Sequence, residues 1–149
     1  MSKTRKADIK EDVRIFLSYA ATDSNYANRL RSLMSQRLDW HVFTTEVLSA
    51  GEDWASRIKD EIARCDIFVV LLSSDSVNSK WVLSELGAAW ALNKLIFPVV
   101  TQPDVLPKIP LDLSDVRAVE MEYLENHPEV LDEAFDRHRG RQLASCSPA

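Results

Sequence analysis

The chain has 149 residues, a length that sets one domain as the expectation. Its 46% hydrophobic and 28% charged residues exclude a disordered chain and supply one real core. A net charge of -5 lacks the concentrated basic face that phosphate binding needs, so nucleic acid is excluded as the main partner.

Residues 1–12, with Lys3, Arg5, Lys6 and Lys10, read as a flexible, solvated N-terminal tail. Val13 to Ser18 ("VRIFLS") is a β-branched and aromatic run, read as a first strand, with Tyr19 just after it. The turn "AATDS" offers Asp23 or Ser24 as a helix cap. A helix over about Asn25 to Arg37 follows, with Tyr26, Leu30, Leu33 and Met34 on one face. Trp40 to Thr44 reads as a short second strand, and Thr45 to Asp53 as a loop holding Gly51 and the apolar pair Val47 and Leu48. Asp53 or the residue before it opens a helix from Trp54 to Arg64.

Ile67 to Leu72 is continuously apolar, the pattern of a central strand covered on both faces. The polar turn "SSDSVNSK" leads into an apolar helix ending near Asn93, and "LIFPVV" is a fourth strand whose Pro98 signals a nearby edge or bulge. Val116 to Met121 reads as a fifth strand and about Pro128 to Arg139 as a charged helix, leaving residues 140–149 as a C-terminal tail or linker. Alternation of strand and helix is the pattern of an α/β domain with a parallel sheet.

Cys65 and Cys146 show no disulfide framework, which fits a reducing, cytoplasmic setting. No run approaches the ~20 apolar residues that cross a bilayer, and no apolar h-region opens the chain.

In such a sheet the ligand crevice lies beyond the carboxyl ends of the strands, so chemistry is sought there. Neither GxGxxG nor GxxxxGK[ST] occurs. A receiver domain needs an aspartate after the third strand, where this chain has Ser73. His41, His127 and His138 are dispersed without ligand spacing, so no metal site is expected. Ser73, Ser74, Ser76 and Ser79 lack a nearby histidine, and there is no GxSxG elbow.

Glu85 stands apart. In "SKWVLSELGAAWALNK" the only polar side chains between Trp81 and Leu92 are Ser84 and Glu85, and Trp81 lies one turn before the acid. Two readings follow from the residues: a helix carboxylate paired to a basic neighbour, or an acid desolvated against an indole beside the crevice, a setting that raises a pKa and marks functional carboxylates.

"RIFLSYAATD", "TEVLSAGEDWASRIKDEIARCDIFVVLLS" and "SVNSKWVLSELGAAWALNKLIFPVV", in this order, resemble the first-strand signature, the BB loop with second helix and third strand, and the WxxxE helix with fourth strand of TIR (Toll/interleukin-1 receptor) domains of the bacterial kind. The resemblance implies a flavodoxin-like, three-layer α/β domain with a five-stranded parallel sheet over residues 13–139. For the NAD-cleaving branch it implies release of nicotinamide from NAD+ with formation of ADP-ribose or a cyclic ADP-ribose isomer. It maps the catalytic glutamate onto Glu85 and its aromatic partner onto Trp81, and the substrate cleft onto Phe16, Ser18, Tyr19 and Gly51. No cofactor is implied, because NAD+ is the substrate. Implied partners are other copies through TIR-to-TIR contacts of the BB loop, with a sensor or effector protein as a further candidate, in bacterial anti-phage signalling or NAD+ depletion. The chain has Ala20 and Ala21 where some active relatives carry a basic residue, and Val82 where plant relatives carry cysteine. The alternative reading is a non-enzymatic adaptor in which the WxxxE helix is structural.

Overall fold

A computed structural model of the chain describes residues 12–37, 39–45, 51, 53–109, 113 and 116–146. The strands are β1 (Val13–Ser18), β2 (Trp40–Phe43), β3 (Ile67–Leu72), β4 (Leu95–Val100) and β5 (Val119–Glu120). The helices are α1 (Ser24–Ser35), α2 (Trp54–Arg64), α3 (Lys80–Ala91), α4 (Met121–Asn126) and α5 (Glu129–Cys146). Single stretches of tighter helix occupy Ala21–Asp23, Ser76–Asn78 and Pro103–Lys108.

All four strand pairings are parallel, and the order across the sheet is β2-β1-β3-β4-β5. Alternation along each strand divides the core in two. Phe16, Phe68, Val70 and Leu72 face one layer, against Ile58 and Ile62 of α2 and Val82, Leu86 and Ala89 of α3. Ile15, Leu17, Val69 and Leu71 face the other, against Ala27, Leu30 and Met34 of α1, Leu124 of α4 and Leu131 of α5. This is the three-layer α/β fold expected from the alternating pattern. β3, in the middle, is buried along its whole length, the reason its sequence carries no alternation.

Helix boundaries follow local hydrogen-bonding chemistry. Asp53 Oδ1 accepts the Ser56 N–H at 3.3 Å to open α2, and Ser79 Oγ accepts the Val82 N–H at 3.2 Å to open α3. Asn93 takes the left-handed conformation (φ 57°) just past α3, and the Lys94 N–H returns to the Ala89 carbonyl at 3.0 Å.

Three readings of the sequence are revised. Asp23 does not cap α1 through its side chain, which is turned instead to Ser73. The fifth strand is only Val119–Glu120, and Met121 already starts a helix, because Met121 and Leu124 pack three residues apart into the α1 layer. α5 runs past Arg139 to Cys146, Gly140 notwithstanding, because Arg141, Gln142, Leu143 and Ala144 are good helix formers. Pro98 does sit near an edge, since β5 pairs with β4 only at Val99 and Val100. Residues 1–11 of the expected tail, and Val47 and Leu48 of the loop after β2, lie outside the described residues.

A depression of about 570 Å³ lies along the outer part of the β1–β2 pair, lined by Asp12, Arg14, His41, Phe43, Glu61 and Cys65 among others. Its polar groups pair with one another, His41 with Asp12 at 3.3 Å and Arg14 with Glu61 at 3.5 Å. Burial pushes the Cys65 thiol up to about 11, which removes it as a nucleophile near neutral pH.

Candidate active site

β1 lies between β2 and β3, so the chain leaves β1 toward one side of the sheet and leaves β3 toward the other. The two connections part at the carboxyl ends of β1 and β3, the position at which doubly wound sheets take their ligands. Ser18 is the last residue of β1 and, two residues after Phe16, faces the α3 layer.

α3 brings the acid to this point. Its buried positions are Val82, Glu85, Leu86 and Ala89, the i, i+3, i+4, i+7 stripe of a helix lying on a sheet. Glu85 therefore occupies a core position, 4% exposed, and pairing to a surface base is excluded as its role. Its partner is Ser18, whose Oγ donates to Oε1 at 2.6 Å. The other oxygen, Oε2, is buried and accepts no hydrogen bond among the described residues. A carboxylate in this position is costly. Burial raises its pKa to about 7, against the pull of the Ser18 hydroxyl and then of the Trp81 indole. Trp81, one turn earlier, is 44% exposed and so forms the outer wall over the acid rather than core.

The remaining expected site residues separate. Phe16 is buried between Phe43 (ring centroids 5.3 Å apart) and Phe68 (5.4 Å, stacked), a floor beneath Ser18. Tyr19 packs against the opposite layer, with the α1 cluster, as its odd position along the strand dictates. Gly51 is in a turn with φ +90°, a conformation L residues rarely adopt. Glu85, Ser18 and Trp81 thus form one cluster with Phe16 below it.

A second buried acid was not singled out from the sequence. Asp23 Oδ2 accepts the Ser73 hydroxyl at 2.5 Å, bridging the loops after β1 and β3. The only signal was position: each residue follows a strand that borders the switch point. Among the described residues, no group of His, Cys, Asp and Glu has the arrangement of a metal centre. Nor, among them, is any helix long and apolar enough to cross a membrane.

Fold and site together define a doubly wound α/β domain with a desolvated carboxylate, Glu85, at its switch point. The TIR domain family model matches residues 15–137, and the chain belongs to that family. Its fold is similar to the TIR domain of the Toll-related receptor TRR-2 from Hydra magnipapillata, with a TM-score of 0.66 and 18% identity, over 87% of this chain and 99% of that one. It is also similar to the CMP N-glycosidase BcmB of Clostridium botulinum, with a TM-score of 0.55 and 18% identity, over 76% of this chain and 99% of that one. The TIR domains of the activated Roq1 resistosome, which recognises the pathogen effector XopQ, give 0.54 and 20% identity over 84% and 82% of the two chains. Likenesses at this identity speak for the fold. No curated protein sequence matches significantly.

Proposed function

We propose that this TIR domain cleaves NAD+ at the bond between nicotinamide and ribose, as a nucleosidase of the bacterial, NAD-cleaving branch. The observation that carries the reading is Glu85: buried, with Oε1 held by Ser18 and Oε2 without a partner among the described residues, under an exposed indole at the switch point. The fold it shares with a CMP N-glycosidase supports cleavage of an N-glycosidic bond as the reaction class.

The chemistry suits a single acid. The pyridinium nitrogen takes the electron pair of the C–N bond and leaves as neutral nicotinamide, so no general acid is needed. What remains is an oxocarbenium-like ribose. Glu85 Oε2 accepts a ribose hydroxyl and stabilises the positive charge that develops beside it, while Trp81 holds the substrate's flat parts in place. Water attack gives ADP-ribose and a proton. Attack by the substrate's own adenine or ribose gives a cyclic isomer. NAD+ acts as substrate, and no further cofactor enters.

Other copies of the domain, meeting through the loop around Gly51, are the proposed partners, with a sensor or effector protein upstream. The setting is cytoplasmic, in immune signalling or NAD+ depletion. A non-enzymatic adaptor is the competing reading. Incubation of the concentrated full chain with NAD+, followed by product analysis, separates the two: the enzyme releases nicotinamide and Glu85→Gln loses at least ~10²-fold in rate. Activity of Glu85→Gln within a few-fold of the unaltered protein removes the assignment.

A further inference from the structure

The carboxyl end of β1 and the β3–α3 connection are tied twice, and only one tie is at the reacting carboxylate. The second is the Asp23–Ser73 bond. Asp23 is 6% exposed and is set by its own N–H donating to the Ala20 carbonyl at 2.8 Å, directly after the Ser18–Tyr19 strand end. Ser73 Oγ, while donating to Asp23, accepts the N–H groups of Asp75 at 3.2 Å and Ser76 at 3.1 Å. The Ser73 N–H in turn donates to Ser76 Oγ at 2.7 Å. From Ser76 the connection continues without a break, since the Ser79 N–H donates to the Ser76 carbonyl at 2.9 Å and Ser79 caps α3. A run of hydrogen bonds therefore joins Asp23 to the first turn of the helix that carries Trp81 and Glu85.

We propose that Asp23 is a positioning residue for Glu85, fixing through Ser73 the start of α3 so that the carboxylate meets Ser18 in the crevice. The proposal rests on the reading of Glu85 as the reacting acid, but its central measurement does not. The energetic logic is that a side-chain hydroxyl with three partners in a buried turn has one geometry, and loss of its only acceptor among the described residues leaves it free to rotate. The turn then loosens by a fraction of an ångström, and misplacement on that scale costs catalysis well before it costs the fold.

The test is the titration of Glu85 in the full chain without substrate, followed by carbon-detected NMR of the labelled side-chain carboxyl. Loss of the Ser18 bond raises the midpoint, so Asp23→Ala raises it by about 0.5 unit or more, as Ser18→Ala does, and the double variant rises no further than Ser18→Ala alone. Asp23→Asn, whose amide oxygen still accepts from Ser73, restores the original midpoint. Should Asp23→Ala fail to fold, Ser73→Ala carries the same test, because it cuts the Asp23 bond from the other side together with the two that Ser73 Oγ accepts from Asp75 and Ser76. An unmoved or lowered midpoint, or additive shifts in the double variant, overturns the proposal. With NAD+ the same variants lose kcat about tenfold or more with KM within about threefold. A raised midpoint in a protein that does not act on NAD+ keeps the positioning role and removes the substrate reading instead.

Discussion

Ser18 Oγ and Glu85 Oε1 stand 2.6 Å apart at the carboxyl end of β1, joined across 67 residues of sequence by one buried hydrogen bond. The bond uses one carboxylate oxygen and leaves the other, Oε2, buried with no hydrogen-bond partner among the described residues. Ser18, which the resemblance maps onto the substrate cleft, is thus bonded directly to Glu85.

The first prediction concerns pH. The proposed reaction uses ionised Glu85, whose pKa in the free protein is about 7, so kcat/KM rises with pH through about 7 and levels above it. Ser18→Ala removes a hydrogen bond that lowers this pKa, so the acid limb moves to higher pH while the plateau falls. Initial rates of nicotinamide release across pH 5 to about 9 check both. A pH-independent rate, or a limb moved downward in Ser18→Ala, contradicts the assignment.

The second concerns stability, in which the same carboxylate is a burden. Its folded pKa, about 7, lies above the ordinary value of 4.5, so between these values the folded state binds more protons than the unfolded one. The derivative of unfolding free energy with pH is then negative. Stability falls as pH rises through this window and is constant above it. The full effect is roughly 3 kcal/mol. Glu85→Gln carries no such penalty and is therefore more stable than the unaltered protein at pH 8, by roughly 2 kcal/mol after relaxation. Near pH 4 the difference closes. Urea unfolding at the two pH values measures it, and an equal difference at both refutes the burial argument.

The third concerns the last helix. Arg37 makes a two-point contact with Asp132 of α5 at 2.7 and 2.6 Å, donates to the Leu33 carbonyl at 3.1 Å and the Pro128 carbonyl at 3.0 Å, and lies over the Trp40 ring. The carboxylate contact, more than any other, raises the guanidinium pKa further. Arg37→Ala should cost about 2 kcal/mol, and Arg37→Lys should recover less than half, because an ammonium lacks the planar fork. Chemical denaturation with an unchanged m-value checks this.

How much of this was legible from the sequence depended on the kind of contact. β3 was readable because six apolar residues in a row, bounded by polar turns, suit a strand covered on both faces, and α3 because its caps and its apolar face are local. Glu85 was legible as an oddity, a carboxylate without a solvated face. Its partner at Ser18 and the Asp23–Ser73 bridge were not, since both join segments fifty or more residues apart and serine carries no periodic signal. Tyr19 was placed in the cleft by the resemblance alone, and the alternation of the strand packs its side chain against the α1 layer. β5 was overextended because Met121 serves a helix as readily as a strand.

The last prediction concerns the loop around Gly51. Its φ of +90° lies where a Cβ is strained, although a Cβ there would meet nothing within 4 Å. Any effect of substitution at this position therefore comes from backbone conformation and not from a clash. If the loop completes the cleft by meeting a second copy, activity depends on assembly, and head-to-tail contacts of this kind extend into filaments unless the rotation closes. Specific activity then rises more than linearly with protein concentration. Gly51→Val, which resists positive φ, suppresses that rise, and Gly51→Asn, which tolerates it better, preserves more of it. Far-UV circular dichroism remains native in both, since the site lies outside the helices and strands. Specific activity that stays flat over a hundredfold dilution series, or equal loss in the two variants, would show that the single domain is competent and that the loop conformation does not gate it.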